Sequence, residues 1–114
     1  MKPIPFVYTT DMARSIEWYR TVIPKATLIS ESPYWSELDI DGDVLALHGT
    51  ESISPGGWAG VAFVADEALE DVLERLREAG IEPQRGIGDE PFGRSIVLED
   101  PDGFRFQVNE YSGS

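Results

Sequence analysis

A short pattern occurs twice in this chain and constrains its fold more than any other feature. Phe6-Val7-Tyr8-Thr9-Thr10-Asp11 and Val61-Ala62-Phe63-Val64-Ala65-Asp66 each read as a strand running into an aspartate, and the two aspartates stand 55 residues apart. Aspartate at a helix start accepts the unpaired N–H groups of the first turn, so Asp11 and Asp66 are both expected to be N-caps. Behind Asp11, the residues Met12, Ile16, Tyr19 and Ile23 fall at helical spacing until Pro24 ends the run. Behind Asp66, the residues Leu69, Val72, Leu73 and Leu76 form one apolar stripe. Glu70, Glu74, Arg75 and Glu78 lie off that stripe, and Gly80 supplies a C-terminal stop. Three strands are expected after each helix. In the first half they are 26–31, 34–40 and 44–48, with Asp41-Gly42 as a hairpin turn; in the second they are 81–85, 94–99 and 104–110.

One strand-helix-strand-strand-strand unit is too small to bury both faces of its sheet, whereas two side by side can enclose a core. The expected fold class is therefore α+β: two tandem βαβββ modules, about 3–48 and about 58–111, forming a curled, half-open mixed sheet with helices on the outside. The Ser/Gly/Pro-rich residues 49–57 are the expected connector within a single domain.

Other classes of protein drop out on composition. No apolar run approaches the roughly 18 residues of a membrane span. Met1-Lys2-Pro3-Ile4-Pro5 runs directly into strand-like sequence, so no signal peptide is expected. With no cysteine there are no disulfides, thiolate ligands or Cys nucleophiles, and the chain suits the cytoplasm. A formal net charge of −12 has the wrong sign for neutralising phosphates, so nucleic acid is not an expected partner; a cationic ligand is favoured instead. Gly86-Ile87-Gly88 lacks the helix and lysine of a phosphate loop and reads as a bend.

The C-terminal segment carries the most specific motifs. Asp89-Glu90-Pro91-Phe92-Gly93-Arg94 makes a tight Pro-Gly loop, and Asp100-Pro101-Asp102-Gly103 makes a turn between apolar strands. Pro101 presets φ, Asp100 can bond the backbone ahead of it, and Gly103 takes a conformation closed to most residues. With the repeated element order, these motifs resemble the glyoxalase / bleomycin-resistance / extradiol-dioxygenase (vicinal oxygen chelate) superfamily over nearly the whole chain, closest to its bleomycin-resistance-like branch. The resemblance implies one concave pocket, used either for metal chemistry or for plain ligand binding, and commonly completed across a homodimer.

The same resemblance locates the family's metal positions. They fall at Ile4 (or Pro5 one register along), Ala46, Gly60 and Gln107, of which only Gln107 offers an oxygen. No metal and no other cofactor is therefore expected. On the final strand Arg105, Gln107 and Asn109 share one face, expected to line the pocket, while Phe104, Phe106 and Val108 share the other. Ile4, Phe6 and Tyr8 form the matching face of the first strand, and Trp35, Glu37 and Asp39 that of the strand after Pro33. The expected ligand-binding set is Phe6, Tyr8, Trp35, Glu37, His48, Trp58, Phe92, Arg94, Arg105 and Gln107. Its aromatic rings suit a planar, neutral or cationic small molecule beside Glu37 and Asp39. Two functions follow from this set. One is metal-independent sequestration of a small molecule, as in antibiotic resistance. The other is a lyase, isomerase or dioxygenase-like enzyme using His48 or Glu37 as acid–base group, or holding a metal between His48 and Gln107.

Overall fold

In the computed structural model, which describes residues 2–54 and 57–112, the βαβββ order occurs twice. The first module holds β1 (Phe6–Thr9), α1 (Met12–Val22), β2 (Thr27–Ser30), β3 (Trp35–Ile40) and β4 (Asp43–Gly49). The second holds β5 (Trp58–Val64), α2 (Leu69–Glu78), β6 (Arg85–Glu90), β7 (Gly93–Glu99) and β8 (Arg105–Tyr111). Each module makes a four-stranded mixed sheet of the same order, β1-β4-β3-β2 and β5-β8-β7-β6. In each, the first and last strands pair in parallel and the other pairs are antiparallel. β1 runs beside β5 without closing a barrel, so the architecture is the expected α+β duplication. Pro55 and Gly56 of the expected connector lie outside the described residues. No helix among the described residues is long and apolar enough to cross a membrane.

Local chemistry explains most element ends. The Asp11 carboxylate accepts from the Arg14 amide at 3.1 Å and caps α1 as expected. Asp41 and Gly42, with φ of 54° and 90°, form the two-residue turn between β3 and β4. At the β6–β7 turn Gly93 has φ of 151°, and a Cβ there would stand 2.1 Å from the Glu110 carbonyl oxygen, so both conformation and space require glycine.

Three expectations need correction. Asp66 does not cap α2: the N-cap position is Ala68, which makes no side-chain cap bond, and the Leu69 amide donates instead to Glu110 Oε2 on β8 at 2.9 Å. The Asp66 carboxylate is held by Lys25. The strand expected at 81–85 begins only at Arg85, because Pro83 has no N–H to give a ladder. The Gly86-Ile87-Gly88 bend is in fact part of that strand, β6, an edge strand where Gly88 leaves room for the Arg85 guanidinium; a Cβ on Gly88 would lie 2.0 Å from Arg85 Nη1.

The core lies on the helix-facing sides of both sheets. Leu38, Leu45 and Leu47 of the first sheet and Ile96, Leu98, Phe106 and Val108 of the second are buried with Leu69, Val72 and Leu76 of α2. Helix α1 lies against β4 of its own module and also reaches module two: Tyr19 stacks on Phe106 with centroids 6.0 Å apart, and Trp18 meets the same ring edge-on at 5.8 Å. The Asp100–Gly103 turn completes this joint. Asp100 Oδ1 accepts the amides of Asp102 and Phe104, while its Oδ2 accepts from Tyr19 Oη. Asp102 accepts from the Thr10 amide, the Ser15 hydroxyl and the Arg14 guanidinium. The motif read from sequence as a turn is thus also the latch between modules.

Candidate functional site

Strand alternation sends one set of side chains into the core and the other to the open faces of the sheets. On β1, Val7 and Thr9 are buried while Phe6 and Tyr8 stay 42% and 43% exposed. Register then assembles a cluster on the open face of the first sheet. His48 stands between its cross-strand neighbours Tyr8 and Trp35, and Ala46 stands between Phe6 and Glu37. The His48 ring lies 5.0 Å from Tyr8, 5.7 Å from Phe6 and 5.8 Å from Trp35, centroid to centroid. Phe6 also meets Tyr8 at 5.4 Å and Trp35 at 5.7 Å. The Trp35 indole N–H donates to Glu37 Oε2 at 2.9 Å, so a carboxylate is fixed at the cluster's edge. His48 Nδ1 lies 2.9 Å from the Gly49 carbonyl, which orients the ring. Five of the expected site residues, Phe6, Tyr8, Trp35, Glu37 and His48, are therefore brought together.

The open face of the second sheet is more polar. The Arg105 guanidinium lies 5.1 Å above the Trp58 ring, a cation–π contact, so this chain's own arginine covers that indole. Trp58, Gly60, Ala62 and Gln107 line a shallow cavity of about 350 Å³. Further along the same face, Ser95 is fully buried opposite Asn109; its hydroxyl donates to Glu90 Oε1 at 2.8 Å and accepts from Arg85 at 2.6 Å. Asn109 Oδ1 is buried with no hydrogen-bond partner among the described residues. Sequence reading found Asn109 by alternation but missed Arg85, Glu90 and Ser95, because they meet only through the irregular β6–β7 register.

Two other expected residues lie elsewhere. Arg94 projects from the helix-facing side of β7, where it pairs with Glu70 of α2 at 2.7 Å and Glu110 at 2.7 Å. Those hydrogen bonds pull the Glu70 carboxyl down to about 2. The Phe92 ring packs on Tyr111 at 5.0 Å in the β6–β7 turn.

The positions that the resemblance assigns to the family's metal, Ile4 (or Pro5), Ala46, Gly60 and Gln107, present a hydrocarbon, a methyl group fully buried beneath its neighbours, no side chain and a neutral amide. This donor set does not fit a divalent cation. Among the described residues no three His, Cys, Asp or Glu side chains gather as a metal site.

This architecture, a duplicated βαβββ unit with an open face on each sheet, defines a class of protein. The chain belongs to the Glyoxalase/Bleomycin resistance protein/Dioxygenase superfamily, whose sequence model matches residues 5–108. No curated protein matches it. Its fold is similar to that of the fosfomycin resistance protein FosX from Listeria monocytogenes, with TM-score 0.81 and 16% identity over 98% of this chain and 93% of that one. Lactoylglutathione lyase from Agrobacterium tumefaciens gives TM-score 0.78 and 17% identity over 96% and 92%. TioX from Micromonospora sp. ML1 gives 0.75 and 19% over 96% and 97%.

Proposed function

We propose that this protein binds a small molecule without a metal, sequestering a planar, neutral or cationic compound on the Phe6, Tyr8, Trp35 and His48 face. The observation that carries this reading is the half-exposed aromatic cluster with Glu37 fixed beside it, on the sheet whose metal position is Ala46. Rings offer stacking area, and a carboxylate at their edge favours a cation over an anion. In a homodimer, the Trp58, Arg105 and Gln107 face of a second copy would cover this cluster, as befits a large exposed apolar patch. Sequestration of a toxic natural product requires tight binding and no chemistry, which suits a face whose expected metal positions carry almost no donor atoms. A cytoplasmic location accords with a chain that has no cysteine. The test is quenching of tryptophan fluorescence by an aminoacridine cation and by an anthracene carboxylate. Saturable quenching by the cation, tighter than by the anion and lost in Trp35→Ala, is expected. Tighter binding of the anion, or saturable quenching by neither, overturns the reading.

A further inference from the structure

A second cavity lies along the seam between the two sheets and shares no residue with the aromatic cluster, although Val61 and Ala62 also line the shallow cavity beside Gln107. It has a volume of about 870 Å³ and opens where residues 2–5 ahead of β1 and the β5 edge meet the end of α1, the β3–β4 hairpin and α2. Its surface is apolar: Val22, Leu45, Val72 and Val108 are nearly fully buried, and Val61 and Phe63 are partly so. Protein interiors pack to the density of organic crystals, and apolar cavities of about 300–1,000 Å³ are the size that small ligands fill. At the rim, Val64 is left 64% exposed and Ile4 41%.

The charges at the mouth define the polar end of an occupant. Lys25, just after α1, bridges Asp41 of the β3–β4 hairpin and Asp66 ahead of α2, so its charge is shared between two carboxylates from the two modules. Arg75 is satisfied by Glu67 at 2.6 Å and by the Val22 carbonyl at 2.9 Å. The Asp43 carboxylate at the same rim makes no ion pair or side-chain hydrogen bond among the described residues. Lys2 is the rim's other cation, which leaves four carboxylates against three cations in a chain of net charge −12. Apolar depth with a negative mouth is complementary to a molecule that has a hydrocarbon body and one positive end.

We infer that this inter-module cleft is a second ligand site, separate from the aromatic face, and that it takes an amphipathic cation: an aliphatic body against Val61, Phe63 and Val72, with a basic nitrogen at Asp43. Decyltrimethylammonium and decanoate below their micelle-forming concentrations are matched probes, followed by methyl-resolved NMR. The cation is expected to shift the methyls of Val61, Val72 and Val108, to leave the Trp35 indole signal in place, and to bind about tenfold more tightly than decanoate. Ala65→Trp, which places a ring in the cleft, should abolish those shifts. Asp43→Asn, an exposed change that leaves the fold intact, should cut the preference for the cation by about threefold. The inference is overturned if decanoate binds as tightly, if the shifts centre on Trp35, or if Ala65→Trp folds and still binds. It is equally overturned if the wild-type cleft stays silent to both probes because a second copy fills it, seen as a dimer that dissociates in Ala65→Trp.

Discussion

Tyr19 Oη on α1 donates to Asp100 Oδ2 at 2.7 Å, and the two residues belong to different modules. Both are buried, so the bond links the halves of the chain where water cannot substitute for either partner. Burial first, and then the charge of Asp100, pushes the Tyr19 phenol far above its ordinary range, so it remains a donor at every accessible pH. Burial likewise raises the Asp100 carboxyl, against the pull of its bonds from Tyr19, Phe104 and Asp102.

Tyr19→Phe is therefore expected to lower stability by about 1–3 kcal/mol at pH 7, the cost of a buried carboxylate stripped of a donor. The sign with pH follows from linkage. A carboxyl raised in the fold leaves the protein most stable below its unfolded value and weakens it as pH climbs through the folded value. Below about pH 4 a protonated Asp100 needs the donor less, so the cost of Tyr19→Phe should shrink there. Urea unfolding of both proteins at the two pH values checks this; an equal cost at both would assign the loss to packing alone.

Asp102 behaves in the opposite sense. Its side chain is only 2% exposed, yet bonds from Thr10, Thr9 and Ser15 outweigh burial and hold its carboxyl below the ordinary value. Glu70 and Glu110 are held low as well, Glu70 by Arg94 first and Glu110 by the Leu69 amide first. Stability from these groups is complete above the unfolded carboxyl range and is lost as pH falls through their depressed values, towards about 2 for Glu70. Asp102→Asn is expected to cost about 1.5–3 kcal/mol at pH 7, as hydrogen bonds to a charged acceptor disappear, and to flatten the acid limb of the stability curve. Denaturant titrations from neutral to strongly acid pH provide the measurement.

The fold was legible because its signals are local. The Asp11 cap, the Leu69–Val72–Leu76 stripe, the Asp41-Gly42 turn and the alternation through β8 each depend on residues adjacent in sequence, and each is found in the structure. What escaped depends on partners far along the chain. Glu110 caps α2 from 41 residues away, and nothing around Ala68 announces it. Arg94 stands beside a loop motif, but a one-residue step of strand parity puts it on the helix side, where Glu70 waits. The aromatic half of the site was readable from alternation on β1 and β3. The Arg85–Ser95–Glu90 group was not, since an irregular register brings it together.

Trp35 has two roles that substitution can separate. Its ring packs in the cluster, and its N–H holds Glu37. Trp35→Ala should weaken binding of a planar cation by about 1–3 kcal/mol, as expected for an aromatic anchor. Trp35→Phe keeps a ring but frees the carboxylate, so it should retain affinity for neutral planar molecules while losing part of the preference for cations. Calorimetric titration with a matched neutral and cationic pair distinguishes the roles; equal loss for both ligands would show that the Glu37 contact contributes nothing to selectivity.

At the four positions that the resemblance assigns to the family's metal this chain supplies only the amide of Gln107, so zinc, manganese or nickel is expected to bind with less than one equivalent per chain and to leave the melting temperature unchanged. The two sheets differ in how readily a site could be rebuilt. Ala46 is completely buried, so a carboxylate placed there would have to displace its aromatic neighbours. Gly60 is open: a Cβ built on it meets nothing within 4 Å, and it lies in the same shallow cavity as Gln107. Gly60→His with Gln107→Glu therefore restores an imidazole and a carboxylate without crowding. That double variant is expected to gain metal-dependent stabilisation of about 1–3 kcal/mol at a metal concentration well above its dissociation constant. Elemental analysis and melting curves with and without chelator give the readout. Stoichiometric metal in the wild-type protein, lost in Gln107→Ala, would show that the missing donors come from outside these four positions and would return metal chemistry to this pocket.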